Sequence, residues 1–242
     1  GMGEGGPVEQ GGNGHDDDHG HDDNHDDHGD GHDHGDEGVA IDLERTRFDT
    51  EFALFDPFDW IEALRVRFGY TDYEHMEIEG GEAASTFQRN GWELRAEASH
   101  YDWSIFDAGI FGVQISDTDF EATGDEIEDG MGGFAFGPPS TTRNQAFFIS
   151  EHIHAGDWHY EIGTRVERQT IDVSGFSDYS DVAFSLSLGA LYDLNESNTL
   201  ALTIQRTQRH PNATELYANG PHLATRQFEI GDENLDLETA YG

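Results

Sequence analysis

The sequence predicts an all-β protein, a partial transmembrane antiparallel β-barrel of about eight strands with a disordered His/Asp-rich loop on one rim. Three observations predict it. Apolar and polar residues alternate with a period of two along most of residues 39–242. The connections between these runs are short and long by turns, and large aromatics gather at the ends of the apolar faces.

Residues 1–38 stand apart. The stretch 15–37, "HDDDHGHDDNHDDHGDGHDHGDE", holds seven histidines and almost nothing apolar, so it buries too little to offset chain entropy and is expected to be disordered. It is either a solvated acidic spacer or a set of side chains that holds something positively charged.

From residue 39 the alternation takes over. Residues 39–55 read as a first, weaker strand. In 60–79, Leu64, Val66, Phe68 and Tyr70 share one face, and Arg65, Arg67, Thr71, Tyr73, His75 and Glu77 share the other. Trp92, Leu94, Ala96 and Ala98 then alternate with Glu93, Arg95, Glu97 and Ser99. Weaker patterns follow at 105–119 and 143–155. Trp158, Tyr160, Ile162, Thr164 and Val166 oppose His159, Glu161, Arg165 and Glu167. Phe184, Leu186, Leu188, Ala190 and Tyr192 oppose Ser185, Ser187 and Gly189, and Leu200, Leu202 and Ile204 oppose Thr203, Gln205 and Thr207.

A soluble sandwich also alternates, so the connections discriminate. Short turns at 56–59, 102–104, 156–157 and 195–197 interleave with longer polar loops at 80–85, 120–142, 174–181 and 210–238. Tight turns on one rim and long loops on the other are the plan of an outer-membrane barrel, with the long loops outside the cell. Trp60, Trp92, Trp103, Trp158 and Tyr192 would form its aromatic girdle. The Arg and Glu rows would cost several kcal/mol per residue in lipid, so they must face a wet lumen, bridged to one another and to whatever fills it. The His/Asp tract falls on the long-loop rim.

Composition narrows the partners. The 242 residues carry 51 acids against 12 basic residues, all of them Arg. The first 38 hold 13 acids and no Arg, which leaves a net charge of about -26 in the rest. Such a chain repels nucleic acid and anionic surfaces; it suits cations, or solubility in salty water. The absence of cysteine excludes disulfides, thiolate metal sites and thiol nucleophiles. No run of 18 apolar residues offers a helical membrane span, and the opening "GMGEGG" carries no targeting signal. With a close in strand-like "LDLETAYG", the sequence reads as an internal piece of a longer protein. It contains no hydrolase nucleophile motif, phosphate loop or dinucleotide fingerprint, so no enzyme is predicted.

Without thiolates, zinc is bound by imidazole and carboxylate. His15, His19, His21, His25, His28, His32 and His34, each beside Asp, offer many pairs that could close on one ion. Interspersed Gly and Asp oppose a helix, so the expectation is several weak, exchangeable sites that concentrate metal, copper and nickel as well as zinc. His75 and Glu77, two residues apart on the lumen side, could approach one ion, although spacing alone favours a solvated polar rim. His100, His152, His154 and His159 fall at the short-turn rim, where interfacial polar roles are expected.

One stretch carries a family resemblance. "TQRHPNATELYANGPHLATRQFEIGDENLDLETAYG" (207–242) presents Arg209, His210 and Pro211, then Glu215, Leu216 and Tyr217, then Asn234, Leu235 and Glu238. This order resembles the late-barrel segment of TonB-dependent outer-membrane receptors. "GPH" at Gly220–His222 before "FEIGDENL", and "YTDYEHMEIEGGEAASTFQRNGWELRAEASH" (70–100), resemble the zinc-uptake branch, as does a His/Asp-rich extracellular loop. The resemblance spans nearly all of 39–242, as one partial barrel domain after the 1–38 loop. It implies a barrel of about 22 strands around a plug domain, with the plug and last strands outside this sequence. It also implies a Gram-negative outer membrane with its lipid around the barrel, and energy from the TonB complex acting through the plug. The imported substrate would be zinc, held by barrel His and Glu together with plug ligands. On these residues the implied ligands are Glu77 and His222, with His75 next. A siderophore or haem receptor of the same fold, and a surface protein that sequesters metal without transport, remain as alternatives.

Overall fold

A computed structural model describes residues 40–124, 136–222 and 227–242, without the side chains at 79, 221, 222 and 227. The tract at 15–37 lies outside the described residues. Eight long strands follow one another: β1 (Ala40–Phe58), β2 (Ile61–Glu79), β3 (Glu82–His100), β4 (Ala108–Thr123), β5 (Ser140–Ala155), β6 (Trp158–Val173), β7 (Tyr179–Asn195) and β8 (Asn198–Arg209). A short helix α1 (Ala213–Tyr217), the two-strand hairpin β9 (Asn219–His222) and β10 (Gln227–Ile230), and β11 (Glu238–Tyr241) complete the described chain. Strands β1 to β8 pair antiparallel in chain order and β11 joins β8, making one nine-stranded sheet whose edges do not meet.

The strands have long apolar faces, and those faces point outward. Phe52, Leu54, Val113, Phe147, Leu188, Leu200, Leu202 and Ile204 are each more than a third exposed, the reverse of a water-soluble core. Register places them in one band: Leu54 opposes Leu64, Leu64 opposes Ala98, Ala98 opposes Phe111 and Phe111 opposes Ile149. Higher on the same face the residues become polar. Asp117 pairs in register with Arg143, whose guanidinium bridges Asp117 at 2.8 Å and Asp172 at 2.5 Å. Tyr70 opposite Trp92 marks the upper edge of the band. Trp158, stacked on Tyr160 at 5.8 Å and 4.6 Å from Tyr192, marks the lower edge with Trp60 and Trp103. Strands β1 to β3 run 19 residues each, well beyond the roughly 9–11 that cross a bilayer. The excess lies above Tyr70, so the wall stands clear of the membrane on the long-loop side.

The rims follow the predicted plan with two differences. The connection at 80–85 is a two-residue turn, Gly80 and Gly81, both at positive φ (60° and 87°), and β3 already begins at Glu82. Its small polar sequence looked like loop because the strands here project into water on both faces. The described part of the 210–238 loop, in turn, is structured, and its segment 210–218 folds inward. Asn212 and Glu215 form a capping box that starts α1, and Leu216 and Tyr217 pack on Ile171 and Val173 of the inner face of β6. Gln169 donates to the Pro211 carbonyl at 2.9 Å, and the buried His210 accepts from the Tyr179 hydroxyl at 3.0 Å. Gly231 fits directly against the Leu216 backbone, where a Cβ would lie 2.6 Å from the carbonyl carbon.

Candidate functional site

The concave face carries the polar residues that the outer face excludes. Arg67 bridges Glu51 at 2.7 Å and Glu97 at 3.1 Å, and Arg95 bridges Glu97 at 2.8 Å while lying 4.1 Å over the Phe148 ring. Gln114 donates to Glu93 at 2.7 Å and accepts from Arg165 at 3.2 Å, and Arg165 closes on Glu167. The predicted lumen rows therefore form two cross-strand networks, one across β1 to β3 that reaches Phe148 of β5 and one that joins β3, β4 and β6. Gly112 allows the first: a Cβ there would sit 2.6 Å from the Phe148 ring that supports Arg95.

Above this belt stands the predicted metal pair. His75 and Glu77 lie on the same lumen-side face of β2, opposite Phe87 and Ser85 of β3. The His75 ring stacks on Phe87 at 4.4 Å and 8°, with Tyr73 edge-on at 5.5 Å, and Phe87 meets Phe136 edge-on at 5.1 Å. The Phe136 carbonyl accepts from the Thr214 hydroxyl at 3.1 Å, which ties this aromatic row to α1 of the inward loop. His75 Nδ1 is buried without a hydrogen-bond partner among the described residues. A buried imidazole nitrogen with no partner loses its hydration and gains nothing, unless a ligand completes it. His222 closes β9 opposite Gln227; its side chain lies outside the described residues. Among the described residues no three His, Asp or Glu side chains gather closely enough to hold a metal ion, so His75 and Glu77 are at most part of a coordination set.

Sequence reasoning did not single out Phe87, Phe136 or the arginines beside them. Taking Gly80-Gly81 as a hairpin turn would have brought the chain around Phe87 back beside His75. Tyr73 lies between Arg45 and Arg89 in register, on the wall of a concavity of about 940 Å³ that also includes Arg47, Arg67 and Glu93. Arg45 and Arg89 have no hydrogen-bond or ion-pair partner among the described residues.

The inward loop is held electrostatically. Arg209 grips Glu215 with two hydrogen bonds at 2.9 Å, and it and the Asn212 backbone hold the Glu215 carboxyl below the ordinary carboxylate range against a partly opposing burial. Burial pushes the Tyr217 phenol up, and its hydroxyl donates to the Ser177 carbonyl at 2.8 Å.

At the short-turn rim every histidine with a described polar partner has a carboxylate. His100, 4 % exposed, lies 2.9 Å from Glu151, with its other nitrogen 2.6 Å from the Tyr101 carbonyl. Gly109 sits between the pair, where a Cβ would fall 2.2 Å from Glu151. His154 pairs with Asp107 at 2.9 Å and His159 with Asp193 at 3.0 Å.

An open antiparallel wall, apolar outside, wet inside and ringed by aromatics, defines a segment of an outer-membrane barrel. The chain belongs to the family described as TonB dependent receptor-like, beta-barrel, whose model matches residues 3–242. That family resides in the Gram-negative outer membrane. The chain's fold is similar to the copper transporter OprC, with a TM-score of 0.66 at 15 % identity over 82 % of this chain and 35 % of that one. It is also similar to the alcaligin outer membrane receptor FauA from Bordetella pertussis, with a TM-score of 0.52 at 15 % identity over 72 % of this chain and 30 % of that one. The chain thus spans about a third of the length of these neighbours.

Proposed function

We propose that this chain is part of a receptor that imports zinc, or a similar divalent transition metal, across the outer membrane. The observation that carries the reading is His75: a lumen-side imidazole with an unpartnered buried nitrogen, two residues from Glu77 and linked through Phe87 and Phe136 to the inward loop. In this reading Glu77, His222 and His75 contribute to the substrate site, and ligands from a plug domain complete it. The tract histidines from His15 to His34 collect the ion at the surface. Energy comes from the inner-membrane TonB complex acting on the plug, so the receptor moves its substrate and does no covalent chemistry on it. One structural neighbour is a copper transporter and the other an outer-membrane receptor for alcaligin, which supports uptake of a metal or a siderophore in general.

A second reading has its own observation. Arg45 and Arg89, unpaired among the described residues and flanking Tyr73, would suit an anionic metal chelate such as a siderophore complex better than a bare cation.

Radiolabelled zinc uptake in cells carrying the full-length receptor tests the choice. Under the first reading, Glu77→Ala with His222→Ala abolishes uptake, and deletion of 15–37 weakens it only when zinc is scarce. Zinc uptake that survives the double substitution but is lost with Arg45→Gln and Arg89→Gln would favour a chelate. Zinc captured by the tract but not imported by any variant would favour sequestration. Zinc affinity of the tract should fall as pH drops through about 6.5, where imidazole gains its proton.

A further inference from the structure

We propose a second transition-metal site at the short-turn mouth, in which His154 and His159 are the ligands and Asp107 and Asp193 hold them in position. It takes one borderline divalent cation, zinc or copper. The two histidines oppose each other in register across β5 and β6, one pair before the Gly156–Asp157 turn, and their rings meet edge to face at 4.0 Å. Antiparallel partners on one face lie close enough for their side chains to grip one ion.

The carboxylates make the arrangement more than a polar turn. Asp107 accepts from both His154 Nδ1, at 2.9 Å, and the His154 backbone amide. Asp193 accepts from His159 Nε2 at 3.0 Å and from the Thr199 hydroxyl at 2.7 Å, and its own amide donates to the Asp157 carbonyl across the turn. A carboxylate facing one nitrogen of a neutral imidazole places the proton there and leaves the lone pair on the other. The lone pairs then fall on His154 Nε2 and His159 Nδ1, neither of which has a hydrogen-bond partner among the described residues. Carboxylate behind, imidazole between and free nitrogen in front is the arrangement that orients histidine ligands and raises their basicity.

Two protein ligands leave the remaining positions to water, consistent with the lack of any closed three-ligand set among the described residues. An open site exchanges its ion, unlike a closed structural one. Both residues share the lumen side of the wall with Glu161 and Arg165, by strand parity, at the mouth opposite His75. The binding claim stands on this geometry; its role as a resting point on the exit path rests on the uptake reading.

Copper titration of the full-length receptor with residues 15–37 deleted, followed by electron paramagnetic resonance, tests the site. We expect, besides any copper held at the His75 site, one further equivalent with two nitrogen ligands, lost in His154→Gln with His159→Gln. Asp107→Asn with Asp193→Asn should keep the two-nitrogen signature while weakening binding about 10–100-fold. Heat-modified mobility on gels verifies that each variant has folded. An unchanged copper stoichiometry and spectrum in the folded double-histidine variant overturns the proposal, as does binding that ignores the two aspartates. Zinc uptake measured in parallel separates the claims: loss of the copper equivalent with normal uptake supports the site and removes it from the path, whereas a bound equivalent in a receptor that imports no zinc leaves the site standing and defeats the uptake reading.

Discussion

The two ends of the wall handle histidine in opposite ways. At the long-loop end His75 is stacked on Phe87 with Tyr73 edge-on, a buried nitrogen left open and no carboxylate within bonding distance among the described residues. At the short-turn end His100, His154 and His159 each face an acid. The acids are abundant everywhere in this chain, so the difference is placement rather than supply. An imidazole held by aromatic rings alone is fixed in orientation yet free to bind, whereas one against a buried carboxylate is already committed. His154 and His159 fall between the extremes, since each has spent one nitrogen and kept the other.

The largest expected effect tests commitment at the short-turn end. His100 presents both nitrogens to acceptors, a carbonyl and a carboxylate, in a nearly dry setting. His100→Ala leaves the Glu151 charge buried alone and should cost about 3–5 kcal/mol, seen as a lower temperature for the heat-modified gel form. Leu at both positions should restore most of that temperature; no recovery would mean the pair is held by something other than its mutual charge.

Next come substitutions along the outer face that locate the membrane between the two ends. Ile162→Arg lies within the apolar band and should destabilise by about 2–4 kcal/mol, while Thr170→Arg, above it on the same face of β6, should cost about 0–1 kcal/mol. Equal costs would displace the band. At the long-loop end Phe87→Leu removes the ring under His75 and should cost about 0.5–1.5 kcal/mol of stability while loosening the imidazole. Histidine side-chain order by nuclear magnetic resonance would register the change, and an unaffected His75 signal would mean the stack does not hold it.

The smallest effect concerns the inward loop. The Glu215 carboxyl is depressed in the folded loop, so its stabilisation is present above the ordinary carboxylate value of 4.5 and is lost as pH falls below it through the folded value. Hydrogen exchange at the amides of 215–218, corrected for intrinsic rates, should quicken between pH 5 and pH 3, by roughly the few-fold expected of a half-exposed ion pair. Constant protection would place the loop's anchor in Leu216 and Tyr217 alone.

Much of the wall was legible from strand period alone. The faces of β2, β3, β6, β7 and β8, the rims and the aromatic girdle all follow from alternation, because lipid and water select side chains on opposite faces of one strand. Register across strands was not legible, since it depends on turn geometry and bulges, such as the shift between Phe55 and Phe58 opposite Ile61. That is why the His75–Phe87 stack and the Arg45–Tyr73–Arg89 row emerge only in the folded wall. The inward fold of 210–218 was likewise hidden: its anchors, Ile171 and Val173, are side chains far earlier in the chain on β6, and local sequence shows only the capping box.

The most direct test of the central claim is a zinc titration of the full-length receptor lacking residues 15–37, with and without His75→Ala. If the open nitrogen of His75 is a zinc ligand, its loss weakens the tightest site at least about tenfold, the smallest effect expected even of a residue that only supports a ligand. The weaker class at the short-turn mouth should stay unchanged. An unaltered tight site in the folded His75→Ala receptor would contradict the claim and leave His75 as part of an aromatic wall.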